Sequence, residues 1–158
     1  MVAAGTGESI PTVWVDADAC PQEIKSILFR AAQRSGVQLI LVANHPMRVA
    51  AGPNIRFIQV EKGFDAADHL IAQRIDRADL LISGDIPLVA EAMEKGAQAI
   101  SHRGEVFDRQ TIRSRLNMRD FYDTLRASGV QSKGPPPLGA AEKQQFANGL
   151  DRYLASLK

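Results

Sequence analysis

The chain has 158 residues, 45% of them hydrophobic, and a formal net charge of +1. That length suits one domain with a core of its own, and the composition excludes a disordered chain. A single cysteine excludes an internal disulfide and points to the cytoplasm, and no apolar run approaches the roughly 18 residues of a membrane span.

The first residues, MVAAGTGESIPT, lack a basic start and an apolar stretch. They read as a flexible end over 1–11 rather than a signal peptide, with one domain over 12–158. TVWVDADA opens as a β-branched and aromatic strand. Pro21 suits the first turn of a helix, where its missing N–H costs nothing. Ile24, Ile27, Leu28 and Ala31 then recur at helical spacing up to Gly36, a natural C-cap. VQLILVAN and IRFIQV read as strands, with HPMRVAAGPN between them as a loop or short helical piece.

Asp65 to Ile75 reads as a helix on the spacing of Ala67, Leu70, Ile71 and Ile75. ADLLISGD is a strand ending at Asp85, PLVAEAMEKG a helix from Pro87 to Gly96, and AQAISH the last strand. This alternation predicts an α/β sandwich of three layers around a mainly parallel sheet. From about 108 the pattern turns helical. Asp108 can cap a helix to about Leu116, and Asn117 another to Ala127. SGVQSKGPPPLG then connects to a final helix, about Ala141 to Leu157.

In open parallel sheets, ligands gather at the carboxyl ends of strands. Asp16 and Asp18 end the first strand at i and i+2, which in extended chain places both on one face. Asp85 ends the fourth. Asp65 and Asp68 share a face of a helical first turn. Helix capping accounts for either of these last two as well. Carboxylates that converge repel one another unless a cation neutralises them. Oxygen ligands select Mg²⁺ or Mn²⁺, and no Cys/His set has zinc spacing. The predicted metal and catalytic set is therefore Asp16, Asp18, Asp65, Asp68 and Asp85.

Charge is divided along the chain. Residues 1–100 hold 9 Lys/Arg against 12 Asp/Glu, and residues 101–158 hold 10 against 6. Arg109/Arg113 and Arg115/Arg119 have i, i+4 spacing, and such a face can hold phosphates or simply be solvated. Ser83, Arg103, Arg113 and Arg115 are the predicted substrate contacts. Cys20, between a strand and a helix, lacks the Arg six positions on that a thiol phosphatase loop needs; Ser26 is there. An inert thiol is the expectation.

VDADACP, GFDAAD, SGDIPLVAEA with the following KGA, and HRG at 102–104 resemble the YaiI/YqxD family of bacterial proteins. The likeness runs from about Thr12 to the C-terminus and includes the GPPP segment. That family in turn resembles the PIN-like nucleases, which cut RNA or DNA with acidic residues and Mg²⁺ or Mn²⁺. The resemblance implies a PIN-like fold and metal ligands at Asp16 and Asp85. Asp18, Asp65 and Asp68 would be direct or water-mediated partners, and RNA or single-stranded nucleic acid the substrate. SGD departs from an expected Thr-Gln-Asp-like segment, and SHRG from Pro-Arg-Gly. Two alternatives stand beside this reading. A strand-DxD also opens the haloacid-dehalogenase phosphatases, although Val89 occupies the place of their second late acid. A nucleic-acid-binding protein with a vestigial site is the other.

Overall fold

The computed structural model describes residues 10–62, 66–114, 116 and 138–157. Strands β1 (Thr12–Asp16), β2 (Gln38–Ala43), β3 (Ile55–Gln59), β4 (Leu80–Ile82) and β5 (Gln98–Ile100) alternate with helices α1 (Gln22–Ser35), α2 (Ala66–Arg74) and α3 (Ile86–Glu94). Residues 109–114 are helical, and α4 (Ala140–Ser156) follows. The helix expected over Asn117 to Ala127, and most of the Gly/Pro-rich connector, lie outside the described residues, as do residues 1–9.

Among the described residues all four strand pairings are parallel, in the order β3-β2-β1-β4-β5. Period-2 alternation splits the side chains between two cores. Val13, Val15, Leu39, Leu41, Leu80 and Ile82 pack with Ile24 and Leu28 of α1 and Phe146 and Leu150 of α4. Trp14, Val42 and Leu81 face the other way, onto Ile71 of α2, Leu88 and Val89 of α3, and Phe107 and Ile112. The result is the expected α/β/α arrangement. Both faces of the sheet are covered, which is why its strands read as near-continuous apolar runs. Among the described residues no helix is long and apolar enough to cross a membrane.

Local chemistry sets the ends of the elements. Gly36 closes α1 at φ 78°, donating its N–H to Ala32 O at 2.9 Å. At the amino end of the sheet the buried Asp79 carboxylate accepts the Thr12 N–H (2.9 Å), the Trp14 Nε1–H (3.1 Å) and the Asp76 N–H (2.9 Å). Burial raises the Asp79 pKa above its ordinary value despite those donors. Ser101 organises the turn after β5, its hydroxyl accepting the N–H groups of Arg103 (3.1 Å) and Glu105 (3.0 Å). That role gives SHRG its turn without the proline. Gly104, at φ 89°, then passes so close to α4 that a Cβ there would meet Phe146 N at 2.5 Å.

Candidate functional site

β1 lies between β2 and β4, so the chain leaves it towards opposite edges of the sheet. Such a switch point opens a crevice at the carboxyl ends of the two diverging strands. Asp16 is the last residue of β1, and alternation puts it on the Trp14 side of the sheet. Ser83, fully buried, follows β4 and donates its hydroxyl to Asp16 Oδ2 at 3.0 Å. Ser83 Oγ in turn accepts the Asp85 N–H at 3.0 Å. One serine thus ties the two acids together.

Asp85 does not extend the strand, because β4 ends at Ile82. It is the N-cap of α3, its Oδ1 accepting the Leu88 N–H at 3.1 Å. Burial raises the Asp16 pKa most; the Ser83 hydrogen bond opposes this, and the negative charges of Asp85 and Asp18 add to it. Its Oδ1 accepts no hydrogen bond among the described residues. The buried His102 ring closes the other side, Nε2 standing 3.2 Å from the Asp16 carbonyl oxygen. A carbonyl only accepts, so that nitrogen carries the proton. Burial lowers the ring's pKa.

Asp18 is placed differently from the reading on an extended strand. The chain turns at 18–19, and the exposed Asp18 reaches across to the end of β2. Its two oxygens both accept the Asn44 N–H at 3.1 Å, and His45 Nδ1 lies 2.7 Å from Oδ1. Sequence reasoning missed this partnership. The signal for it was the position of Asn44-His45 at the end of the strand next to β1. Asp68 sits in the first turn of α2, half-buried. Asp65 lies outside the described residues. Among the described residues no three acid, His or Cys side chains come together as a metal cage.

A full carboxylate cage is one way to hold a cation. Mg²⁺ commonly takes only one or two carboxylates and fills its remaining positions with water and substrate phosphate. Asp16, with a free oxygen beside Asp85 and a charge disfavoured by its surroundings, fits that kind of binding. Asp16 and Asp85 are the residues that would hold the ion.

Of the predicted substrate contacts, Ser83 lies within the site. Arg103 follows His102 and turns towards Glu142 at the start of α4, 3.8 Å away. Arg113 is exposed and lines a groove of about 370 Å³ with Arg109, Met93 and Glu94, apart from the acids. Arg115 lies outside the described residues. Cys20 is buried with its pKa pushed up to about 12, chiefly by burial, so its thiol is neutral.

A family model described as "Uncharacterized BCR, YaiI/YqxD family" matches residues 14–156. A UPF0178 protein of Chromobacterium violaceum is 60% identical over 144 residues, 91% of this chain and 98% of the relative. One from Halorhodospira halophila is 62% identical over 143 residues, 90% of this chain and 95% of the relative. One from Aliivibrio fischeri is 56% identical over 146 residues, 92% and 98% of the two chains. No solved structure matches.

Proposed function

Since this chain belongs to the YaiI/YqxD family, whose description names no activity, the site itself has to suggest one, and we propose a divalent-metal-dependent nuclease of the PIN-like type. Its substrate would be RNA or another single-stranded nucleic acid, met in the cytoplasm. The observation that carries this is the pairing of Asp16 and Asp85 through Ser83 at the switch point of a parallel sheet.

Asp16 and Asp85 would hold Mg²⁺ or Mn²⁺. The ion, when bound, supplies an activated water and charge neutralisation at the leaving oxygen. Ser83 holds Oδ2 of the Asp16 carboxylate, which leaves Oδ1 for the ion. His102 braces the Asp16 backbone, so the carboxylate keeps its position as substrate arrives. Arg113 and Arg115 would hold flanking phosphates, and a flexible single strand can bend one phosphate down to a recessed site. The haloacid-dehalogenase alternative needs Asp18 as a free general acid. Engagement of both its oxygens by Asn44 weighs against that role.

The test is a panel of labelled RNA and DNA oligonucleotides with Mn²⁺, comparing the wild type with Asp16→Asn. Cleavage by the wild type alone supports the proposal. Equal cleavage by both means a contaminating nuclease. Binding without cleavage returns the protein to the vestigial-site reading, and turnover of a small phosphomonoester alone to the phosphatase one.

A further inference from the structure

His102 carries a hydrogen-bonding atom that its contact with Asp16 leaves unused. The side chain, in a residue only 9% exposed, reaches from the turn after β5 past the end of β4 to the Asp16 carbonyl oxygen on β1. Nε2 carries the proton of that contact, so in the neutral imidazole Nδ1 is an acceptor with one lone pair. Burial favours the neutral form. Nδ1 has no hydrogen-bond partner among the described residues. No side-chain nitrogen or oxygen among them is both sealed from solvent and unpartnered, so Nδ1 is open to solvent. Between the two strands that the ring joins, the sheet ends in the fully buried Ile82. The opening therefore lies on the carboxyl side, with Asp16 and Asp85. The turn is fixed on both sides of the ring: the Ser101 hydroxyl accepts the Arg103 and Glu105 N–H groups, and Gly104 rests against α4. The acceptor is thus in place before a ligand arrives.

A lone pair of this kind selects donors. A phosphodiester oxygen carries no proton and cannot bind it. Base amino groups donate, but they stand away from the backbone. The ribose 2′-hydroxyl donates, lies beside the phosphodiester and is missing from DNA. A phosphate seated at Asp16 and Asp85 brings that hydroxyl, rather than a base edge, to the ring. We propose that His102 Nδ1 accepts a hydrogen bond from the ribose 2′-hydroxyl next to the phosphate that is cut, which makes the site select RNA over DNA. This rests on the nuclease reading above and narrows its substrate to RNA.

The experiment measures kcat/KM of the wild type with Mn²⁺ at about pH 8, where an ordinary imidazole is neutral. The substrates are single strands of one sequence, made as RNA, as its 2′-fluoro analogue and as DNA. Attack of water on phosphorus needs no 2′-hydroxyl, so each strand can be cut. Fluorine keeps the sugar close to its RNA shape but has no proton to donate. RNA is expected to be cut roughly fivefold more efficiently than either analogue, the scale of one neutral hydrogen bond. In His102→Phe, which keeps a ring without nitrogens, that advantage over the 2′-fluoro strand should disappear. A merely structural His102 would slow every strand alike and leave the ratio unchanged. A 2′-fluoro strand cut as well as RNA by the wild type overturns the inference, as does a preference that survives in a folded His102→Phe. Either result leaves the nuclease reading standing. The wild-type series is decisive even where the variant fails to fold. A wild type that cuts none of the strands overturns both.

Discussion

The buried Ser83 hydroxyl donates to Asp16 Oδ2 at 3.0 Å and accepts the Asp85 N–H at the same distance. A single side chain therefore orients one acid and fixes the backbone of the other. The Asp16 carboxylate cannot turn away, nor the Asp85 backbone shift, without breaking a bond to that oxygen.

Ser83→Ala should consequently lower both stability and metal affinity. The Asp85 N–H loses its partner, which costs about 1–2 kcal/mol in a denaturant melt. An unsupported Asp16 carboxylate should bind Mn²⁺ about 10–100-fold more weakly by calorimetry, as when the outer partner of a metal ligand is removed. Unchanged Mn²⁺ affinity in a folded variant would remove Ser83 from the site.

Millimolar Mn²⁺ or Mg²⁺ should raise the melting temperature of the wild type, because an ion that binds only the folded state stabilises it. Asp16→Asn should abolish that increment. Without metal, the variant should be at least as stable as the wild type, since the amide is relieved of the repulsion from Asp85 and Asp18. Calorimetric scans of both proteins with and without Mn²⁺ decide this. A wild type indifferent to metal would end the metal reading.

Asp79 should govern part of the acid-range stability. Its folded pKa lies above the ordinary 3.8, so the folded chain holds that proton more tightly than the unfolded one. Its contribution is most favourable below 3.8 and declines as pH rises to its folded value, then levels off. The difference between wild-type and Asp79→Asn urea midpoints across that range should show this fall. Asp79→Ala leaves three N–H donors without their acceptor and should cost about 3 kcal/mol at neutral pH. A loss under 1 kcal/mol would show that water replaces the carboxylate.

Gly104→Ala should cost about 2–4 kcal/mol. Its φ of 89° is unfavourable for any side chain, and the added carbon would lie 2.5 Å from Phe146 N and 2.8 Å from Gln145 C, both backbone atoms of α4. Thermal melts should show the loss, with early exposure of α4 in hydrogen exchange. Wild-type protection of α4 in this variant would contradict the packing of that turn.

Much of the fold was legible because it rests on local patterns. Apolar runs with β-branched residues became β1 to β5, and the spacing from Ile24 to Ala31 became α1, closed by Gly36 as its chemistry requires. Boundaries moved where tertiary hydrogen bonds took over. The strand expected to end at Asp85 stops at Ile82, because Ser83 and Asp85 are committed to Asp16 and to the start of α3. The two-residue spacing of Asp16 and Asp18 suggested one face, but the strand ends at Asp16, the chain turns at 18–19, and Asn44 claims the second carboxylate.

By itself, the sequence determined a parallel α/β sheet covered on both faces, with acids at its carboxyl edge. Those features follow from side-chain periodicity and from the residues that start and stop each element. Only the tertiary structure decided that β4 lies beside β1, which brings Ser83 to Asp16 across 67 positions of chain and turns Asp18 towards β2. Strand order is selected by the packing of α1 and α4 on one face and α2 and α3 on the other. That packing energy belongs to the assembled layers, and no single segment of the chain carries it.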